Sequence, residues 1–180
     1  MVMISQRSAR PIEFQRAMVF VDGTNLFYRL AGVKLKLLSL RNLCHNYCQG
    51  RQIVRIYLYT TKPHFEKAKR DYGDKAFEAI RIVFGDAVPT GDGNIKEKGV
   101  DALLVADLVY HAAAKNYDYA VLVSTDADFA HALKRVEDFG CRTAVVSVCS
   151  STPELLHDAA DQVFEADQAD LVNMKAATSL

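Results

Sequence analysis

Val19-Phe20-Val21-Asp22-Gly23-Thr24-Asn25 runs from apolar side chains straight into a carboxylate and a glycine. The run begins at Ala17, and its length and lack of polar breaks read as a buried strand, with Asp22-Gly23 as the turn that leaves it. Thr24 is placed to cap a helix over 25–30. The same grammar recurs downstream. Tyr119–Ser124 reads as a second buried strand, closed by Thr125-Asp126-Ala127-Asp128-Phe129. Arg142–Val148 is apolar almost throughout, as central parallel strands are.

Between these strands the pattern changes period. Ser39 caps a helix reaching Cys48, with Leu40, Leu43 and Tyr47 on one face. Gln52–Thr60 reads as a strand rich in β-branched and aromatic residues. Pro63 opens a charged helix over 64–78, and 80–88 reads as a strand ended by Pro89. Residues 90–99 hold three glycines and no apolar period, which predicts a mobile loop. A helix over 100–114 follows, then one over 127–139 closed by Gly140. A short helix is expected over 153–159, an edge strand at 163–164, and a loose tail after Leu171.

Alternating strands and helices predict an α/β fold: a doubly wound parallel sheet with helices on both faces. The 180 residues suffice for one domain with a full core. The expected division is a flexible N-terminal segment over 1–15, a domain over 16–166 and a C-terminal tail over 167–180.

Half of the chain is apolar, which excludes disorder. No apolar run has the roughly 18 residues of a membrane span, and the polar start lacks a secretory signal. Cys44, Cys48, Cys141 and Cys149 form no C-x-x-C pair. They read as reduced, buried thiols, so the expected location is cytoplasmic. Net charge is zero but unevenly spread. Residues 1–100 carry 17 Lys and Arg against 9 Asp and Glu, a balance of +8, while 101–180 carry 5 against 13, a balance of −8. A basic surface beside an acidic one suits a polyanionic partner and a cation.

Four aspartates stand where strands end or helices begin: Asp22, Asp101, Asp126 and Asp128. In open parallel sheets ligands bind beyond the carboxyl ends of the strands. Each aspartate also has an ordinary reading. Asp22 suits a turn, Asp101 complements a helix dipole, and Asp126 or Thr125 caps a helix while Asp128 favours its positive end. Asp101 shares the helical spacing of Leu104, Val105 and Leu108, which predicts that it points toward the core edge. Asp107 falls on another side and is expected in solvent. Two carboxylates 4 Å apart repel by about 4 kcal/mol at an effective dielectric of 20. A converging cluster therefore calls for a cation or for protonation.

Oxygen donors without histidine select a hard ion, Mg²⁺ or Mn²⁺. Such ions serve phosphoryl chemistry. Asn25, Ser124 and Thr125 are candidate substrate-binding neighbours, and Lys96 and Lys98 are candidates to grip backbone phosphates. Lys34, Lys36 and Arg41 make a second basic stretch. Tyr57, Tyr59 and Phe65 are either core or base-stacking residues. The five histidines share no motif, and no P-loop, G-x-S-x-G or G-x-G-x-x-G occurs.

With Val19-Phe20-Val21-Asp22-Gly23-Thr24-Asn25-Leu26, Lys98-Gly99-Val100-Asp101 and Ser124-Thr125-Asp126-Ala127-Asp128-Phe129 in this order, the chain resembles the NYN-domain family. Within the PIN-like nuclease superfamily it looks most like the LabA-like branch, from about residue 16 to 166. The resemblance implies a doubly wound α/β fold, an acidic pocket, a divalent metal and, often, ribonuclease activity. Asp22, Asp101, Asp126 and Asp128 match the acidic pocket and Asn25 its polar neighbour. The expected function is a Mg²⁺- or Mn²⁺-dependent ribonuclease acting on single-stranded or structured RNA. The alternative is a non-catalytic RNA-binding or regulatory module, and a homodimer or a protein partner fits either.

Overall fold

The structure, a computed structural model, describes residues 11–90 and 95–180. Strand β1, Arg16–Asp22, lies at its centre. Ala17, Met18, Val19, Phe20 and Val21 are all at most 2% exposed. Each of the larger side chains gains about 1.5–3 kcal/mol from burial. Both faces of β1 are covered, because side chains alternate across a strand. Val19 and Val21 join one core cluster, and Met18 and Phe20 join the other.

The remaining strands of the main sheet are β3, Gln52–Thr61; β4, Arg81–Pro89; β5, Ile95–Lys98; β6, Tyr119–Val123; β7, Arg142–Val148; and β8, Gln162–Ala166. A small separate pair is formed by β2, Leu35–Leu37, with β9, Ala177–Ser179. Among the described residues the main sheet has the order β5-β4-β3-β1-β6-β7-β8, and only β5 is antiparallel. Helices α1, Gly23–Gly32; α2, Leu40–Tyr47; and α3, Lys62–Tyr72, cover one face together with α7, Gln168–Asn173. Helices α4, Val100–Ala113; α5, Ala130–Asp138; and α6, Glu154–His157, cover the other. This is the doubly wound α/β architecture expected.

The register places the site. Val21 pairs with both Leu58 and Val123, so β1, β3 and β6 end side by side. Gly23 turns the chain there against β3. A Cβ at Gly23 would meet the Tyr59 carbonyl oxygen at 2.8 Å, which leaves room for glycine alone.

Several expectations are corrected. Residues 95–98 are not loop but strand β5, paired Asp86↔Lys98 through Pro89↔Ile95. The strand escapes notice because it is a charged edge strand, Lys96-Glu97-Lys98, with no apolar alternation. The part of the expected loop over 91–94 lies outside the described residues, as do residues 1–10. The charged helix stops at Tyr72, where Gly73 takes φ +87°. The tail is packed rather than loose. Asp167 and Asp170 form a reciprocal cap at the start of α7, and Leu171, Ala176 and Ala177 are buried. Strand β9 then closes on β2, pairing Leu35↔Ser179 through Leu37↔Ala177.

Asp107 is not in bulk solvent. It accepts the Tyr59 hydroxyl at 2.9 Å, and burial holds that phenol far above its usual range. Tyr59 is core, Tyr57 stacks on Phe20 at 5.9 Å between ring centres, and Phe65 packs on Phe77 at 5.1 Å. All four cysteines are free thiols. Burial raises Cys48 to about 12 and Cys141 to about 11, which makes both poor nucleophiles. Among the described residues no helix is long and apolar enough to cross a membrane.

Candidate active site

The carboxyl ends of β1 and β6 and the helices after them build one polar crevice. Asp22 ends β1 and is 6% exposed. It, not Thr24, caps α1: its Oδ1 accepts the Asn25 backbone N–H at 3.1 Å. Its Oδ2 accepts the Ser124 hydroxyl at 2.9 Å. The Ser124 oxygen in turn accepts the Asp126 backbone N–H at 3.0 Å. Asp126 caps the short 3-10 turn Ala127–Phe129 by accepting the Asp128 N–H at 3.0 Å.

A second strut joins α1 to the same loop. The Asn25 amide nitrogen donates to Thr125 Oγ1 at 2.9 Å, and the Thr125 backbone N–H donates to Asn25 Oδ1 at 3.3 Å. Thus Asp22, Asn25, Ser124, Thr125, Asp126 and Asp128, singled out in the sequence, share one hydrogen-bonded network.

Asp101 stands apart from it. The stripe of α4 that meets the sheet is Val100, Leu104, Leu108 and Ala112, spaced by four. Asp101 is one position off that stripe and is exposed at the crevice rim, not inward. The charges still communicate. Burial raises Asp22 to about 6, against the hydrogen bonds from Asn25 and Ser124, and the charges of Asp101 and Asp126 add to the rise. Asp101 is raised as well, by partial burial and then by Asp126, Glu97 and Asp128. Among the described residues no three His, Cys, Asp or Glu side chains stand close enough to hold a metal ion between them.

Two residues to which the sequence assigns no site role belong here. Glu97 of β5 accepts the Thr24 hydroxyl on both oxygens, at 2.7 and 2.8 Å, and meets His64 Nδ1 at 2.8 Å. It pins the β4–β5 hairpin to the starts of α1 and α3. Its only sequence signal is its place between two lysines. Arg29 lies one turn beyond Asn25, and its Nη2 donates to Thr125 Oγ1 at 2.9 Å. Its Nε is buried without an acceptor, and no carboxylate pairs with it among the described residues. The four-residue spacing from Asn25 to Arg29 is the available clue. Lys98 is exposed on β5, and Lys96 lies two positions earlier on the same strand.

A family model of the NYN domain matches residues 16–167. The chain belongs to the NYN domain family. The NYN domain is a member of the PIN-like nuclease superfamily, which associates this chain with nuclease chemistry and RNA. Among solved structures, a protein of unknown function from Vibrio parahaemolyticus RIMD 2210633 is similar to this NYN domain at a TM-score of 0.66. The two are 18% identical, and the match covers 89% of this chain and 98% of that one. At that identity the likeness speaks for the fold alone. No curated protein matches the chain.

Proposed function

We propose that this NYN domain, of the LabA-like branch, is a divalent-metal-dependent ribonuclease that hydrolyses RNA phosphodiester bonds. The observation that carries the reading is Asp22. A buried carboxyl at the switch point of a parallel sheet, with other acidic charges around it, is costly to keep ionised above about pH 6, and a bound cation offsets that cost.

The donor chemistry fits Mg²⁺ or Mn²⁺, which prefer oxygen ligands and keep several waters while binding one or two carboxylates. The candidate holders are Asp22, Asp101, Asp126 and Asp128. When bound, such an ion lowers the pKa of water and neutralises charge on phosphate oxygens. The chain's own groups do the positioning. Ser124 and the Asn25 N–H fix both oxygens of Asp22, so its carboxylate enters the crevice already oriented. Asn25 and Thr125 hold the opposite wall, and Arg29 presents to an RNA phosphate a guanidinium with no acidic partner among the described residues. Lys96 and Lys98 grip the backbone from the hairpin. Four free thiols, three of them buried, suit a cytoplasmic setting.

One observation favours the second reading, a non-catalytic RNA-binding or regulatory module: no three acidic side chains form a ready cage among the described residues. End-labelled RNA incubated with Mn²⁺, or with chelator, separates the two. Metal-dependent cleavage that disappears in Asp22→Asn supports the enzyme. Binding without cleavage in Mg²⁺ and Mn²⁺ supports the module.

A further inference from the structure

Beside the carboxylate crevice a groove of about 320 Å³ runs between α1 and α3. Thr24 and His64, both bonded to Glu97, stand at its mouth. Phe27 and Tyr72 form an aromatic wall, with ring centres 6.0 Å apart. Tyr28 borders the groove and is 74% exposed, and Lys67 lies opposite on α3. The hydrogen-bond network of Asp22 makes no use of these rings.

We propose that this groove receives one unpaired base of the RNA strand, stacked on Tyr28, while the adjoining phosphate reaches the carboxylates. The proposal rests on the RNA reading above and adds the place where a nucleotide is held.

The chemistry favours a base over other occupants. The volume sits at the small end of small-molecule sites, which excludes a docked helix or a duplex. A splayed single-stranded base presents a flat π-face to aromatic rings and a polar edge to hydrogen-bonding groups. The groove supplies both, because the Lys67 ammonium, ion-paired to Asp71 at 2.6 Å, places a donor and an acceptor beside the rings. The position fits too. Helix α1 rises about 1.5 Å per residue, so Tyr28 lies about 9 Å along it from Asp22, within the reach of one nucleotide. The Tyr28 ring has the Arg29 guanidinium at 5.9 Å, a modest contact at an exposed site, whereas base–aromatic stacking is a substantial and sequence-tolerant interaction.

The test is fluorescence anisotropy with an unstructured, 5′-labelled RNA of about ten nucleotides, within the usual single-strand site sizes. It is run in chelator, where metal-dependent hydrolysis stops, and again with Ca²⁺. Tyr28→Ala should weaken binding by about 5- to 150-fold, the equivalent of one base–aromatic stack. Tyr28→Phe keeps the ring and should stay within about twofold of wild type on the same reasoning. Ala31→Trp fills the groove without removing Tyr28 and should weaken binding as Tyr28→Ala does. An abasic residue walked along the RNA supplies the readout that a structural defect would not move. At one position it should weaken wild-type binding by a similar factor, yet add almost nothing to Tyr28→Ala. If wild type binds RNA but Tyr28→Ala matches it, or the abasic losses add in full at every position, the groove proposal is overturned and the RNA reading stands. If wild type binds RNA in neither buffer, the RNA reading fails and takes the groove with it.

Discussion

The Ser124 hydroxyl donates to Asp22 Oδ2 at 2.9 Å, joining the ends of two adjacent parallel strands across 102 positions of sequence. That bond is one of the two that restrain a carboxyl which burial pushes to about 6. A carboxyl raised in the folded state binds its proton more tightly there than in the unfolded chain. Protonation therefore stabilises the fold. The cost is absent below about 3.8, grows between 3.8 and 6, and is complete above. At neutral pH it amounts to roughly 3 kcal/mol. Urea unfolding in chelator should show stability falling across this window, and Asp22→Asn should flatten the fall. Ser124→Ala removes a donor, so it should move the Asp22 titration above 6 in carboxyl NMR.

Divalent cations should offset this cost. With a metal at about 100 times its dissociation constant the fold gains about 2.7 kcal/mol. For a chain of this size that is a rise of roughly 5–10 °C in Tm. Mn²⁺ at about pH 7.5, above the Asp22 titration, should produce it in wild type, and Asp22→Asn should lose most of it. At about pH 5 the gain should shrink, because Asp22 is then largely protonated. An unchanged Tm in wild type would contradict a metal site built on Asp22.

Glu97 ties three elements through one carboxylate. Glu97→Ala should free the β4–β5 hairpin, seen as faster amide exchange at Lys96 through Lys98. Its cost should be about 1–2 kcal/mol, typical of a part-buried hydrogen-bonded group. Thr24→Val should cost less, and the double mutant should cost less than the sum.

Arg29 separates binding from stability. Among the described residues its Nε is buried without an acceptor, and Thr125 Oγ1 keeps its bond from Asn25 when Arg29 is removed, so Arg29→Met, which keeps the apolar stem, should change stability by less than about 1 kcal/mol. RNA affinity should fall, with a smaller dependence on salt. Reduced stability at unchanged RNA affinity would assign Arg29 to holding Thr125 alone.

Lys96→Ala with Lys98→Ala should weaken RNA binding by a similar factor across sequences. The salt slope should drop by about 0.7 for each lysine–phosphate pair removed from a single strand. Metal-induced stabilisation should be unchanged, since a lysine offers an ion no ligand at neutral pH. Equal salt slopes in mutant and wild type would leave both lysines in solvent.

Much of this molecule is determined locally. The run Ala17–Val21 can only be buried, and Arg142–Val148 matches its strand at both ends. Ser39 caps α2 through the Asn42 N–H, and Gly140 closes α5 with φ +79°. Asp22, Asn25, Ser124 and Thr125 are legible as a polar cluster because each lies at or just beyond the end of a buried strand. Period, capping and strand-end position are properties of neighbouring residues, so the chain's own order reveals them. The tertiary structure alone decided the rest. Strand β5 exists because β4 offers it a partner edge, and β9 because β2 does. Asp101 turns to the rim because the roll of α4 is set by which stripe packs on the sheet. Glu97 and Arg29 enter the site through partners 33 to 96 positions away. A charged side chain carries no mark of where its hydrogen bond will be made; that depends on which strands the sheet brings together.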